Sequence, residues 1–126
     1  MEKFFLVDDE EIINAIQTRI LKSEFPDSEI LKFNTAKELL KILKEINYNP
    51  IIFLDLNMPE MDAISFLKQL EVENLEIKPT IFILTFSHNE KELKYVKNNR
   101  FVSEVISKPL SIEKLEKLKQ KYILLG

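Results

Sequence analysis

Short apolar runs alternate with longer amphipathic stretches along the whole chain. Residues 3–7 read as a buried strand, and residues 10–22 as a helix with Ile13, Ile16 and Ile20 on one stripe. Residues 29–33 form a short strand nearer an edge. Thr35 and Glu38 carry the capping-box pattern, and Leu39, Leu40, Leu43 and Ile46 mark the helix that follows. Asn49-Pro50 breaks the chain before a third strand, 51–54. Residues 60–72 are helical, with Ile64, Leu67 and Leu70 in register. Pro79 precedes a fourth strand, 80–84. Ser87 and Glu90 form a second capping-box pattern, which opens a weakly apolar helix reaching about Asn98. A fifth strand covers 101–106. Ser111 caps a last helix with Ile112, Leu115, Leu118, Tyr122 and Leu125 as its stripe.

Five strand–helix units in succession predict an α/β fold with a parallel sheet covered on both faces. Strands one, three and four are almost wholly apolar, as central strands must be. Right-handed crossovers leave few topologies. A flavodoxin-like doubly wound order, 2-1-3-4-5, puts the switch point between strands one and three, and ligands bind there beyond the carboxyl ends.

Polar landmarks gather at those ends. Asp8 and Asp9 follow strand one, Asp55 follows strand three, Thr85 follows strand four and Lys108 follows strand five. Singly, each has an ordinary reading as a helix-start acid, a turn residue, a strand-end hydroxyl or a solvated lysine. Jointly, at successive strand ends, they describe a site. Three neighbouring carboxylates repel one another unless a cation compensates, and hard oxygen ligands suit Mg²⁺. A carboxylate can itself be the nucleophile that takes up a phosphoryl group, with a lysine and a hydroxyl binding the remaining oxygens.

Composition narrows the field. Apolar residues at 45% and charged residues at 31% fit one globular domain with a single core. The net charge of −3 argues against a nucleic-acid surface, and no apolar run has the length of a membrane span. There are no cysteines, which removes disulfides and thiolate metal sites and fits an intracellular, cytoplasmic home. The only glycine is the last residue, so any turn with positive φ falls to Asn, Asp or a longer loop. There is no glycine-rich phosphate loop, so nucleotide binding is not supported. His88, the only histidine, lies within the second capping box and reads as a solvated first-turn residue.

The set Asp8-Asp9, Leu54-Asp55-Leu56-Asn57-Met58-Pro59, Thr85 and Lys108-Pro109 resembles the response-regulator receiver domain of two-component signalling, in order and in spacing, over essentially the whole chain. The resemblance implies that Asp55 accepts a phosphoryl group from a phosphohistidine on a sensor histidine kinase or a histidine phosphotransfer protein. It implies Mg²⁺ held by the Asp9 and Asp55 side chains and the main-chain carbonyl of Asn57, with Asp8 acting at the metal, often through water. It implies that Thr85 and Lys108 contact the phosphoryl group, and that a downstream protein binds the face made by helix four, strand five and helix five. A stand-alone receiver spanning residues 1–126 is expected, one that catalyses only its own phosphotransfer and dephosphorylation. Three positions depart from the family pattern. Phe86 replaces a small residue after the threonine, Val105 stands where an aromatic is usual, and Ala63 replaces a common glycine. The first two put the usual threonine–aromatic readout in question, and a phosphorylation-independent pseudo-receiver module is the alternative. A phosphatase of the aspartate-nucleophile type usually has a second acid two residues after the nucleophile, where this chain has Asn57. A flavin carrier wants a phosphate loop where Asp8-Asp9-Glu10-Glu11 stands.

Overall fold

The computed structural model describes residues 2–122. Five strands, β1 (Lys3–Val7), β2 (Glu29–Phe33), β3 (Ile51–Asp55), β4 (Thr80–Thr85) and β5 (Val102–Ser107), alternate with five helices. The helices are α1 (Glu11–Glu24), α2 (Ala36–Leu43), α3 (Ala63–Glu73), α4 (Glu90–Lys97) and α5 (Ile112–Tyr122). All strand pairs are parallel, in the order β2-β1-β3-β4-β5 that the sequence predicts. Among the described residues, no helix is long and apolar enough to cross a membrane.

Strand alternation divides the core in two. Phe5, Val7, Ile52, Leu54, Ile81 and Ile83 face α2, α3 and α4. Phe4, Leu6, Phe53, Phe82, Leu84 and Ile106 face α1 and α5. On the latter face, Phe4, Phe53 and Phe82 form a row across β1, β3 and β4, with ring centroids 6.2 and 5.3 Å apart. These aromatics fix the spacing of the central strands and hence of the residues at their carboxyl ends.

Local signals are partly displaced from where the sequence puts them. Thr35 caps α2 by accepting from the Glu38 N–H at 3.1 Å. α3 begins three residues later than expected, because Asp62 caps it by accepting from the Ser65 N–H at 2.8 Å. The second capping box shifts by two residues. Asn89, not Ser87, is the N-cap of α4 and accepts from the Glu92 N–H at 3.1 Å. His88 is exposed in the loop ahead of that helix, not in its first turn. Ser111 does accept from the Lys114 N–H at the start of α5, but Ile112 is exposed and Leu125 lies outside the described residues. Positive φ occurs at Asn74, which closes α3 in the left-handed region, and also at Glu60, where an ordinary residue takes a conformation usually left to glycine.

The largest correction concerns α1. Its buried face is Asn14, Gln17 and Leu21, while Ile12 and Ile16 are exposed and Ile13 and Ile20 only half-buried. Counting apolar residues misplaces this face because two amides occupy it, and one of them has work at the loop above (below). The phase is testable. Leu21→Ala is expected to cost about 2–5 kcal/mol and Ile16→Ala under about 1 kcal/mol in urea unfolding, the reverse of what the apolar stripe implies.

Candidate phosphoryl-transfer site

The site forms where the order 2-1-3-4-5 leaves β1 and β3 as neighbours whose onward connections go to opposite faces of the sheet. Asp8 follows β1 directly and is held from three sides. Its N–H donates to the Phe33 carbonyl (3.1 Å), its Oδ1 accepts from the Glu10 N–H (2.9 Å), and its carbonyl accepts from Asn14 Nδ2 (2.9 Å). Asp8 is buried and Asp9 exposed. Asp55 ends β3 in a position that is 8% exposed. One carboxylate oxygen from each of Asp8, Asp9 and Asp55 lies within 4.8 Å of the others.

Lys108 enters this cluster from the end of β5. Its Nζ sits 2.7 Å from Asp8 Oδ2 and 3.1 Å from Asp55 Oδ1, with the side chain only 4% exposed. The backbone places it: the Lys108 N–H donates to the Thr85 carbonyl at 2.9 Å. Lys114, on the first turn of α5, brackets it by donating from Nζ to the carbonyls of Ser107 (2.6 Å) and Pro109 (2.8 Å). Thr85 is buried at the end of β4, and its Oγ1 accepts from the Ser87 N–H at 2.8 Å. The main-chain N–H of Asn57 faces the Asp55 carboxylate, while the Asn57 side chain turns to α4 and donates to Glu92 Oε2 at 3.4 Å.

The electrostatics follow from this packing. Burial pushes the Asp55 pKa up to about 6. Lys108 opposes that by charge and hydrogen bond, Asp8 adds to it by repulsion, and the Asn57 N–H lowers it. For Lys108, burial works against the charge, but the two carboxylates outweigh it and hold its pKa above the usual lysine value. With every acid ionised, three negative charges face one positive charge. The remainder matches a divalent cation, and the donors are all carboxylate oxygens, so the residues fit Mg²⁺.

All the residues singled out from the sequence therefore meet at one end of the sheet. The exception is the Asn57 side chain, whose predicted part at the metal is main-chain only. Sequence reasoning passed over Asn14, Lys114 and Glu92. Glu92 alone left a trace, as the third residue after a capping asparagine. The departures are also placed. Phe86 is 63% exposed, with its ring centroid 5.5 Å from Lys108 Nζ. Val105 is half-buried beside a groove of about 470 Å³ that Thr85, Leu93 and Lys97 also line.

The chain belongs to the response regulator receiver domain family of two-component signalling, whose model matches residues 4–120. It is 35% identical over 92 residues to protein-glutamate methylesterase/protein-glutamine glutaminase 3 of Leptospira interrogans, a match covering 73% of this chain and 25% of that protein. The chain thus spans about a quarter of the length of that relative. Among solved structures, a two-component response regulator from Cytophaga hutchinsonii superposes with a TM-score of 0.83 at 22% identity, covering 98% of each chain. The response regulator TrrA from Thermotoga maritima, determined in complex with Mg²⁺-BeF, does so with a TM-score of 0.72 at 23% identity, covering 100% of each chain. These likenesses establish the fold.

The raised Asp55 pKa has a signed consequence. The folded value of about 6 exceeds the value of 3.8 for a free carboxyl, so between them the folded state binds the proton more tightly. Stability contributed by the protonated form is full below about pH 4 and is lost as pH rises through about 6. In chelator, the thermal midpoint of Asp55→Asn is expected to gain on the parent from pH 4.5 to 7.5, by on the order of 5 °C. A gap that stays constant or narrows with rising pH contradicts this electrostatic account.

Proposed function

We propose that this receiver domain accepts a phosphoryl group on Asp55 from the phosphohistidine of a sensor histidine kinase or histidine phosphotransfer protein, and changes its partner binding as a result. The observation that carries this reading is Lys108 Nζ shared between Asp8 and Asp55 inside a three-carboxylate cluster.

In the step, an Asp55 carboxylate oxygen attacks phosphorus. The new O–P bond forms as the N–P bond breaks, and that electron pair stays on the departing imidazole. Asp8, Asp9 and Asp55 side chains, with the Asn57 carbonyl, would hold Mg²⁺, which when bound supplies charge neutralisation to the phosphoryl oxygens. Lys108 already lies against Asp55 and is placed to pair with a phosphoryl oxygen once one is attached. The Thr85 hydroxyl accepts from Ser87 but retains its own proton to donate to a second oxygen. Asp8 keeps the lysine in place through its 2.7 Å pair and carries no part of the bond making. The domain acts on itself in this scheme and turns over no separate substrate.

A donor protein needs footing beside Asp55. Exposed Ile12 and Ile16 on α1, and Ile112 on α5, follow the loops bearing Asp8-Asp9 and Lys108, and they offer apolar contact there. A downstream protein would read the face of α4, β5 and α5, since the Thr85 and Lys108 loops feed those elements. A cytoplasmic setting accords with such partners.

The test is intact mass after incubation with acetyl phosphate and Mg²⁺. The parent is expected to gain one phosphoryl group. Asp55→Asn is expected to gain none while keeping its circular dichroism, and excess chelator is expected to suppress the gain at least tenfold. An unchanged parent mass, with a known receiver phosphorylated in parallel, overturns the proposal. In a companion measurement, Asp9→Asn is expected to weaken Mg²⁺ binding about 10–100-fold in an NMR titration without moving the thermal midpoint by more than about 2 °C, since Asp9 is exposed.

A further inference from the structure

Helix α4 is joined to the site by one side chain. Glu92 Oε2 accepts from Asn57 Nδ2 (3.4 Å), two residues beyond Asp55, and Glu92 Oε1 accepts from Ser87 Oγ (3.2 Å), two residues beyond Thr85. Its own N–H is fixed by the Asn89 cap, and the Asn89 N–H in turn donates to Ser87 Oγ (3.1 Å). The Ser87 N–H holds the Thr85 hydroxyl at 2.8 Å. Among the described residues, Glu92 is thus the side chain of α4 that hydrogen-bonds to both loops flanking Asp55, beside the Asn89 N–H bond to Ser87 Oγ. On the other side of α4, Val105, Thr85 and Leu93 line an open groove.

We propose that Glu92 is a positioning residue for the phosphoryl-transfer site, a latch that holds both loops to α4 and releases when Asp55 is phosphorylated. This rests on Asp55 being the acceptor. Phosphorylation replaces the single charge of the Asp55 carboxylate with a phosphoryl group bearing up to two, a net gain of about one negative charge, and adds three strong acceptor oxygens. The Ser87 hydroxyl and one N–H of the Asn57 amide are neutral donors on the loops around it, and both are engaged by Glu92. The new oxygens compete for those donors and repel the Glu92 carboxylate, so the same event draws the loops inward and frees the first turn of α4. The signal reaches α4 without an aromatic at position 105. Before phosphorylation, the latch holds the Ser87 hydroxyl and one Asn57 N–H and so keeps them from the site.

The experiment compares parent, Glu92→Ala, Ser87→Ala, the double variant and Glu90→Ala. Glu90→Ala removes a neighbouring first-turn charge on α4 whose side chain makes no hydrogen bond or ion pair to either loop among the described residues. Each is incubated with Mg²⁺ with and without acetyl phosphate, and followed by intact mass and by amide hydrogen exchange across residues 90–97. In the parent and in Glu90→Ala, phosphorylation is expected to raise α4 exchange on the order of tenfold. In Glu92→Ala, exchange is expected to be high before phosphorylation and to rise less than about twofold on it. The acyl phosphate of Glu92→Ala is expected to decay several-fold more slowly, and Ser87→Ala to change that lifetime by a different factor in the Glu92→Ala background than in the parent. An α4 response in Glu92→Ala equal to the parent's, or strictly independent effects of the two substitutions, overturns the latch while leaving Asp55 as acceptor. No phosphoryl gain by the parent overturns both.

Discussion

The buried Lys108 ammonium, shared by two carboxylates, is the constraint on which the rest of the structure depends. Desolvation alone would drive Asp55 toward its neutral form, and a carboxyl group that stays protonated is no nucleophile. Lys108, 2.7 Å from Asp8 and 3.1 Å from Asp55, opposes that shift and leaves the carboxylate ionised near neutral pH. A buried pair of this kind adds little net stability, because desolvation consumes much of the Coulombic gain, whereas removing one partner strands a charge. Its worth lies in position. The ammonium can hold this place only because β1 and β3 are adjacent, and because the Lys108 N–H hangs from the Thr85 carbonyl across β4 and β5.

That requirement reaches into the surrounding chain. Asp8 must keep its carboxylate turned to Lys108 with no glycine to shape the loop, and it does so by accepting from the Glu10 N–H while Asn14 holds its carbonyl. Asn14 Oδ1 stays buried without a hydrogen-bond partner among the described residues, an unusual burden for a helix to carry inward. The inner face of α1 therefore serves the loop above it as well as the core, and its isoleucines are displaced to the surface. Lys114 does the corresponding service on the far side, bracketing Lys108 through two carbonyls.

Strand order, and the convergence of Asp8, Asp9, Asp55 and Lys108 at one end of the sheet, were legible in the sequence because both rest on strong, local signals. Five apolar runs, each closed by a polar residue, specify a parallel sheet, and the switch-point rule then says which ends must meet. The phase of α1 was not legible. Buried amides satisfied by a distant backbone look polar, and nothing local distinguishes Asn14 from a solvated residue. The α4 cap was misplaced for a related reason. Ser87 and Asn89 are both good caps followed three residues later by an acid, and the choice falls to Asn89 because the Ser87 N–H is already committed to Thr85. Glu60 escaped notice because its positive φ follows from the path the chain takes between Asp55 and the Asp62 cap, not from its own preference.

The two ends of the proposed switch differ in how closely they are determined. The proposed chemistry at Asp55 needs charges held within a few ångströms, and Asp8, Asp9 and Lys108 lie that close to it. Readout needs only an element with two arrangements whose balance the new charge can tip, and many side chains can supply one. Val105 and Phe86 depart on the readout side alone: one leaves a groove unfilled, and the other leaves a large ring exposed beside Lys108. A carboxylate on α4 that already engages donors from both flanking loops meets the same requirement by a different route, since like charge repels at short range whichever residue bears it. A receiver site of this kind can therefore hold its proposed phosphoryl chemistry while the residue that reports it changes, because the two demands fall on different atoms.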